Sequence, residues 1–270
     1  MSEPILPLPV DPDDLPTGAR GGAGEGPAPA DTGWHRFTAA SPLGDQLPTD
    51  AAVYGAAIPA EPTLRLLGSL EGKRVLDLGC GAGHASVAFA AQGAKVMAVD
   101  PSPVQVAATR QAAEQAEVRV ELHQADLAEL AFLRKDTLDL VFSAYALTEI
   151  DDLNRVFRQV HRVLKPEAPL VFSVPHPAFA MLDPTAPDPL RIQRPYHAVR
   201  PQRWDRGDEA VTDRPRTLAE IFVSLTRANF RVDTLLEPPA TDDTHRGSDW
   251  AEVMAWVPPT LILRARKEGI

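Results

Sequence analysis

The sequence predicts an α/β fold in which helices cover a parallel sheet. From about residue 58, short apolar runs typical of buried strands alternate with helical patterns. The first of these runs enters the glycine-rich turn Gly79-Cys-Gly81-Ala-Gly83, a helix of small residues follows, and the next run ends on Asp100. This order is typical of open sheets that bind a nucleotide beyond the carboxyl ends of their strands.

The individual elements follow from apolar periodicity and from residues that start or stop helices. Strands are predicted at 74–78, 95–100, 118–123, 139–143 and 170–174, and helices at 62–70, 83–92, 104–116 and 152–164. The helix at 152–164 has the clearest amphipathic pattern; Asp151 or Asp152 caps it, and Pro166 ends it. A capping box from Thr217 to Glu220 opens another helix, and late strands are predicted near 231–236 and 260–265.

Composition divides the chain into a tail, a lid segment and one domain. The 270 residues are 44% hydrophobic, which suffices for a full core. Residues 1–33 are predicted to be a disordered tail, because Pro, Gly, Ala and Asp cannot bury enough apolar surface to offset the entropy of ordering. Residues 34–57 are predicted to be a lid segment that docks partly on the domain. The domain itself spans 58–270 and contains an inserted substrate cap at 175–216, which is too long for an ordinary loop.

The charge balance and the cysteine usage argue against several classes of protein. A net charge of −10 disfavours broad binding to nucleic acid or to an anionic membrane, although it permits a local basic patch. The single cysteine, Cys80, excludes an intrachain disulfide. No apolar run approaches the length of a membrane span, and the first residues lack the regions of a signal peptide. We therefore expect a cytoplasmic protein without a metal site, and the oligomeric state is left open.

The glycine turn favours one of two nucleotide ligands. Its glycines let the backbone approach a ligand, and Asp100 can accept two hydrogen bonds from a ribose diol, which fits both a dinucleotide and S-adenosylmethionine. The dinucleotide fingerprint requires a third glycine or an alanine, yet that position holds His84 or Ser86, depending on the glycine from which it is counted. Asp77 suits a cationic ligand and would repel a pyrophosphate. An NAD(P)-dependent oxidoreductase is therefore the weaker alternative.

Five landmarks in the same order as in one known family support this choice. The stretch "VLDLGCGAGHA" resembles motif I of the class I S-adenosylmethionine-dependent methyltransferases, and "VMAVDPSP", "ADLAEL", "LDLVFSAYAL" and "VLKPEAPLVFSVP" follow it. The resemblance runs from about 54 to 268. It implies a Rossmann-like, seven-stranded, mostly parallel sheet with an antiparallel last strand and helices on both faces. It also implies transfer of a methyl group; a non-catalytic protein that binds the same cofactor would share these landmarks.

The resemblance assigns cofactor-binding roles by position. Gly79 and Gly81 would line the methionine and ribose portions of S-adenosylmethionine, and Asp100 would hold the ribose hydroxyls. Asp126 and the Leu127 backbone would face the adenine. The backbone of Ser143, and Asp77 directly or through water, would lie near the methionine amino group. The predicted cofactor site is completed by Gly83 and Tyr54. Asp126 has a second interpretation, a loop-capping residue without ligand contact.

The acceptor side of the site is less defined by sequence. Methyl transfer needs a general base only where the acceptor must lose a proton, and the candidates near strand ends are His176, Tyr145 and Glu149, of which His176 is the best placed by pKa. His176 equally suits a structural role in its Pro-His-Pro turn, and Tyr145 could simply pack against the cofactor. The cap carries seven arginines that either pair with the six acids of the same segment on a solvated surface or hold an anionic acceptor: Arg191, Arg194, Arg200, Arg203, Arg206, Arg214 and Arg216. Tyr196, His197 and Trp204 are candidates for a planar wall of the acceptor site.

A late helix–strand segment favours a small-molecule acceptor. Its sequence, "RTLAEIFVSLTRANFRVDTLLEP", is similar to the corresponding segment of ubiquinone- and menaquinone-pathway methyltransferases.

Overall fold

The computed structural model of the chain describes residues 49–55, 58–182, 186–197, 202–206, 209–240 and 252–269, and for 202–206 and 209–213 it describes the backbone alone. The predicted tail at 1–33 and most of the predicted lid segment at 34–57 lie outside the described residues. Within these ranges no helix is both long and apolar enough to cross a membrane. Nor do these ranges group three or more His, Cys, Asp or Glu side chains in an arrangement suited to a metal ion.

Among the described residues, seven of the nine strands form one mixed sheet, as the family resemblance implies. The strands are β1 (Arg74–Leu78), β2 (Lys95–Asp100), β3 (Val120–Gln124), β4 (Leu140–Ala144), β5 (Pro169–Pro175), β6 (Gln202–Arg206), β7 (Glu209–Asp213), β8 (Phe230–Leu236) and β9 (Thr260–Lys267). The sheet order is β3-β2-β1-β4-β5-β9-β8, in which β9 runs antiparallel to both of its neighbours and the first five strands are parallel. Strand order reverses between β1 and β4, which is where ligands bind in open α/β sheets.

Three of the five α-helices among the described residues begin at a side-chain cap. The five helices are α1 (Glu61–Leu64), α2 (His84–Ala91), α3 (Pro103–Gln115), α4 (Leu153–Val163) and α5 (Leu218–Arg227). Ser102 caps α3 and Asp152 caps α4 through side-chain bonds to backbone N–H groups. The predicted capping box of α5 has both of its bonds, since Thr217 accepts from the Glu220 N–H and Glu220 accepts from the Thr217 N–H.

The core has one apolar cluster on each face of the sheet. Successive residues of a strand point to opposite faces, so Leu76 belongs to the cluster beneath α4 and α5, and Val75 to the cluster that contains Phe89 of α2. The apolar face of α4 packs into the first cluster, and its residues there are all buried: Leu153, Val156, Phe157, Val160 and Val163. This packing holds the carboxyl ends of the central strands in fixed positions.

Three local predictions need correction. The first helix ends at Leu64 rather than at residue 70, because Arg65 is left-handed and the Glu61 carboxylate accepts the N–H groups of the next two residues, Leu66 and Leu67. The strand predicted from 118 begins at Val120, because the Val118 N–H still bonds the Ala113 carbonyl at the end of α3. The cap insertion contains a hairpin, β6 and β7, which its polar sequence did not reveal.

Candidate active site

The glycine turn lies at the carboxyl end of β1 and is packed tightly against its surroundings. The Gly79 N–H donates to the Val99 carbonyl at 2.8 Å, which ties the turn to β2. Gly79 has a φ of 78°, and a Cβ added to it would lie 2.1 Å from the Cβ of Ala146. The same Cβ would lie 3.4 Å from Leu127. This position therefore requires glycine for two reasons, the left-handed backbone and the close approach of the segment after β4.

Asp100 closes the turn from the end of β2. Its Oδ2 accepts the Gly81 N–H and its Oδ1 accepts the Ser102 N–H, both at 3.0 Å, and its side chain is buried. These two bonds fix the carboxylate between the turn after β1 and the turn after β2. A carboxylate has about four acceptor positions, so this arrangement is compatible with binding of a ribose diol.

Asp77 is a buried carboxyl group beneath the turn. It is 2% exposed, and its Oδ2 accepts the Ser86 hydroxyl of α2 at 2.6 Å. Burial raises the pKa of Asp77 to about 7, and the nearby Asp100 carboxylate adds to this rise, while the Ser86 hydrogen bond opposes it. A cation above the turn would favour the ionised form, so the group suits a positively charged ligand.

The segment after β3 contributes an apolar contact and a polar loop. Leu127 is buried and reaches the position above Gly79, as expected for a residue that lines the site. Asp126 is exposed, and its Oδ1 accepts the Ala128 N–H at 2.7 Å. That bond gives Asp126 the loop-capping role that the sequence left open, and contact with adenine stays a prediction.

Ser143 is buried within β4, opposite Phe172 of β5. Its Oγ is one of the buried side-chain atoms that lack a hydrogen-bond partner among the described residues. The Ser143 hydroxyl lies next to the carboxyl end of β4, where the following segment passes over the glycine turn. Its proposed role through the backbone remains a prediction.

Tyr145 follows β4 in a left-handed conformation with a φ of 62°. Its N–H donates to the Ser173 carbonyl at 2.9 Å, and its hydroxyl lies 2.5 Å from the Thr260 hydroxyl of β9. A Cβ on Gly55 would lie 2.3 Å from Thr260 Oγ1 and 2.8 Å from the Tyr145 hydroxyl, so the segment 49–55 passes directly over this pair. These contacts hold Tyr145 as an anchor of the turn after β4.

His176 is held by contacts on both ring nitrogens. Its Nδ1 accepts the Ala178 N–H at 3.1 Å, so the proton resides on Nε2, which lies 2.7 Å from the Glu237 carboxylate. Its backbone N–H donates to the Pro259 carbonyl. This arrangement favours the structural role over that of a general base.

Tyr54 lies in the apolar cluster on the α2 face rather than in an open cleft. Its ring meets Phe142 edge to face at 5.6 Å between centroids, and its hydroxyl is 2.5 Å from Glu61 Oε2. Burial and the Glu61 carboxylate raise the pKa of Tyr54 above its usual range. The residue therefore anchors the segment 49–55 to the domain, and cofactor contact stays a prediction.

Three of the described arginines of the cap donate to backbone carbonyls. Arg194 donates to Ala180 and Leu182, Arg214 donates to Glu149, and Arg216 donates to Leu147 and Ile150. The bonds of Arg214 and Arg216 attach the cap to the segment after β4, whereas those of Arg194 lie within the cap. The side chains of Arg203, Trp204 and Arg206, and all of Arg200, lie outside the described residues.

Ser86 and Thr109 are site residues that the sequence reading missed. Ser86 bonds Asp77, and Thr109 of α3 donates to the Gly81 carbonyl at 2.8 Å. For Ser86 a signal exists, since it is a hydroxyl residue within an otherwise apolar small-residue helix. Thr109 lies 28 residues from its partner, and no local pattern marks it.

Comparisons with known proteins agree with this geometry. A family model described as a methyltransferase domain matches residues 75–167. A crystal structure of an S-adenosylmethionine-dependent methyltransferase from Mesorhizobium loti is 29% identical, covering 79% of this chain and 99% of that one with a TM-score of 0.59. A putative S-adenosylmethionine-dependent methyltransferase from Listeria monocytogenes is 23% identical, covering 77% and 96%, with a TM-score of 0.65.

Two curated relatives extend the comparison. An uncharacterized protein of Haemophilus influenzae is 27% identical over 77% of this chain and 86% of its own length. A ubiquinone biosynthesis O-methyltransferase of Pseudomonas syringae pv. tomato is 34% identical over 39% of this chain. The match spans 45% of the ubiquinone-pathway relative, which is less than half of its length.

The methyltransferase-domain match at 75–167 and the 29% identity to an S-adenosylmethionine-dependent methyltransferase over 79% of this chain support a class I S-adenosylmethionine-dependent methyltransferase. Within that class, the matched region 75–167, from β1 to the end of α4, is a methyltransferase domain whose cofactor is S-adenosylmethionine. The prediction made from motif I and the four later landmarks is confirmed, and the nicotinamide alternative is set aside.

Proposed function

We propose that this chain transfers the sulfonium methyl group of S-adenosylmethionine to a small organic acceptor bound next to the cap at 175–216. The observation that supports the proposal is the pairing of the glycine turn with two buried carboxyl groups. Asp100 accepts the Gly81 N–H of the turn, and Asp77, two residues before Gly79, bonds Ser86 of the helix that follows the turn. A cationic cofactor with a ribose diol fits this combination of a glycine turn, an acceptor of hydrogen bonds and negative charge.

The residues that would hold the cofactor are those gathered around the turn. Asp100 would accept the ribose hydroxyls, and Asp77 would face the methionine amino group. The remaining contacts would come from Gly79, Gly81, Gly83, Asp126, Leu127, Ser143 and Tyr54. Among these, Asp126 and Tyr54 have the weaker support, because the first caps its own loop and the second is buried in the core.

Catalysis by this chain would rest on positioning and exclusion of water. The cofactor supplies an activated methyl group, so the protein has to align an acceptor atom with it. The Tyr145 anchor and the cap arginines hold the turn after β4 and the cap in register with the glycine turn. Tyr145 would shape the acceptor side of the site, and His176 would support the turn after β5. Neither role requires the residue to take a proton from the acceptor.

Two observations support a small acceptor. The net charge of −10 disfavours a polyanionic substrate such as nucleic acid. The ubiquinone-pathway relatives carry the name of an O-methyltransferase that acts in the synthesis of a small organic molecule. Atom type and pathway are not part of the proposal.

The test is formation of S-adenosylhomocysteine by the purified chain. Labelled S-adenosylmethionine is mixed with a small-molecule extract, and the labelled product is identified by mass. We expect cofactor binding at least tenfold weaker in Asp100→Ala than in the native chain, because the variant loses charge-assisted hydrogen bonds worth about 1.5–3 kcal/mol each. Cofactor binding without turnover on any extract would favour the non-catalytic alternative.

A further inference from the structure

The two peptide groups that flank Gly81 in the cofactor turn are held by two different elements. The Gly81 N–H donates to Asp100 Oδ2 at 3.0 Å, and the Gly81 carbonyl accepts the Thr109 hydroxyl at 2.8 Å. Asp100 ends β2, whereas Thr109 lies in the middle of α3. The orientation of the peptide groups on either side of Gly81 is therefore set jointly by a strand end and by a helix.

The second partner, Thr109, is locked in place. It is 0% exposed, and its Oγ1 also lies 3.4 Å from the Cys80 thiol. Because a hydroxyl has one proton and Thr109 gives it to Gly81, the single thiol proton of Cys80 is shared between Thr109 Oγ1 and the Gly81 carbonyl, which lies 3.9 Å from the Cys80 Sγ. A Cβ on Gly83 would lie 2.7 Å from Thr109 Cγ2 and 2.8 Å from its Cα, so α3 approaches the whole turn closely.

These contacts matter for ligand binding because Gly81 has a φ of 53°, a conformation in which glycine is otherwise free to rearrange. If the carbonyl loses the Thr109 hydroxyl, no other bond fixes that side of Gly81 as firmly. The N–H on the other side then loses its fixed direction toward Asp100. A binding site whose groups must first be ordered binds its ligand more weakly than a preorganised one.

We propose that Thr109 is a positioning residue of the cofactor site: its hydroxyl fixes the Gly81 peptide and thereby orients Asp100 for the ribose. The inference rests on the proposed cofactor contact of Asp100. Thr109 itself touches the turn and not the ligand. Its effect should therefore fall on cofactor affinity and leave the acceptor KM unchanged.

The test compares three variants by calorimetry with S-adenosylmethionine. Thr109→Val keeps the shape and removes the hydroxyl, Thr109→Ala removes the hydroxyl without adding a methyl group, and Thr109→Ser keeps the hydroxyl. We expect about 3- to 10-fold weaker binding in Thr109→Val and Thr109→Ala, the equivalent of one net hydrogen bond. Thr109→Ser should bind within about twofold of the native chain, and the Val substitution should add little when Asp100→Asn is already present.

The outcomes separate this proposal from the function itself. Native affinity in a folded Thr109→Val or Thr109→Ala chain would overturn the role of Thr109, while the native chain still binds the cofactor. Loss of folding in both variants, with Thr109→Ser intact, would also overturn it, because Thr109 would then serve stability alone. Failure of the native chain to bind S-adenosylmethionine would instead contradict the proposed function.

Discussion

Replacing Asp77 with Asn should stabilise the cofactor-free protein more at alkaline pH than at acid pH. The quantity compared is the free energy of unfolding of the variant minus that of the native chain. The perturbation removes a carboxyl group that is 2% exposed and keeps an oxygen that can accept the Ser86 hydroxyl. In the folded protein the pKa of Asp77 is about 7, whereas its ordinary value is 3.8. Above a pH of about 7, the native chain must therefore bury the negative charge of Asp77, which Asn does not carry.

The sign follows from proton linkage. Between pH 3.8 and about 7 the folded state holds a proton on Asp77 that the unfolded state has lost. The stability that this proton confers is fully present below pH 3.8 and disappears as the pH rises through about 7. Asn does not titrate, so the difference in the free energy of unfolding between the variant and the native chain must grow over the same interval.

The magnitude can be worked from the same values. Each pH unit between 5 and about 7 changes the free energy of unfolding by about 1.4 kcal/mol per proton. Between pH 5 and pH 8, the free energy of unfolding of the Asn variant should therefore rise by roughly 3 kcal/mol relative to that of the native chain. An unpaired amide N–H in the variant costs about 1–3 kcal/mol, but that cost is the same at both pH values and cancels.

The assay is urea unfolding of both proteins at pH 5 and pH 8, without cofactor. Asp100 and Cys80 are the titratable neighbours, and both are present in either chain. A stability difference that is equal at the two pH values would refute the reasoning, because it would show that Asp77 is ionised in the folded protein throughout. A second readout is the native chain's affinity for S-adenosylmethionine, which should rise over the same interval as a cationic ligand selects the ionised carboxyl group.

Three further predictions concern the frame of the site. Gly79→Ala should abolish measurable cofactor binding because its Cβ would meet Ala146, whereas Gly72→Ala, with a similar φ and nothing within 4 Å, should bind normally in the same titration. Tyr145→Phe and Thr260→Val should lower kcat to a similar extent, and their effects should combine non-additively, because both substitutions break the same hydrogen bond. The pH dependence of kcat should stay unchanged in both variants. A changed pH dependence in Tyr145→Phe would instead show that Tyr145 acts as a base. Thr217→Ala should lower the free energy of unfolding by about 1 kcal/mol, measured by heat or urea, because the α5 cap is lost. Its cofactor affinity should stay unchanged, and a change in affinity would contradict the separation of α5 from the site.

The sequence predicted those parts of the fold that depend on local patterns. The bounds of β1 and β2 agree with the structure residue for residue, because each apolar run is bordered by a charged residue and by a turn. The capping box of α5 was equally readable, since its two partners are three residues apart. The placement of Gly79 and Asp100 at one edge of the sheet follows from the parallel order of their strands.

Contacts between distant segments could not be read in this way. Thr109 meets Gly81 only because α3 packs back over the turn, and Arg214 meets Glu149 across 65 residues. The roles of His176 and Tyr145 depended on partners from other elements, Glu237 and Thr260, that no spacing rule connects. Local patterns therefore locate the cofactor turn, and tertiary contacts decide what the surrounding side chains can do.

The most direct test of the central claim is a paired measurement of binding and turnover on the native chain. Calorimetry with S-adenosylmethionine is followed by detection of labelled methyl groups in a small-molecule extract, with Gly79→Ala and Gly72→Ala as matched variants. The account predicts that the native chain and Gly72→Ala bind the cofactor and label a small organic product while releasing S-adenosylhomocysteine, and that Gly79→Ala does neither. Absence of binding in the native chain, or labelled product from Gly79→Ala, would contradict it.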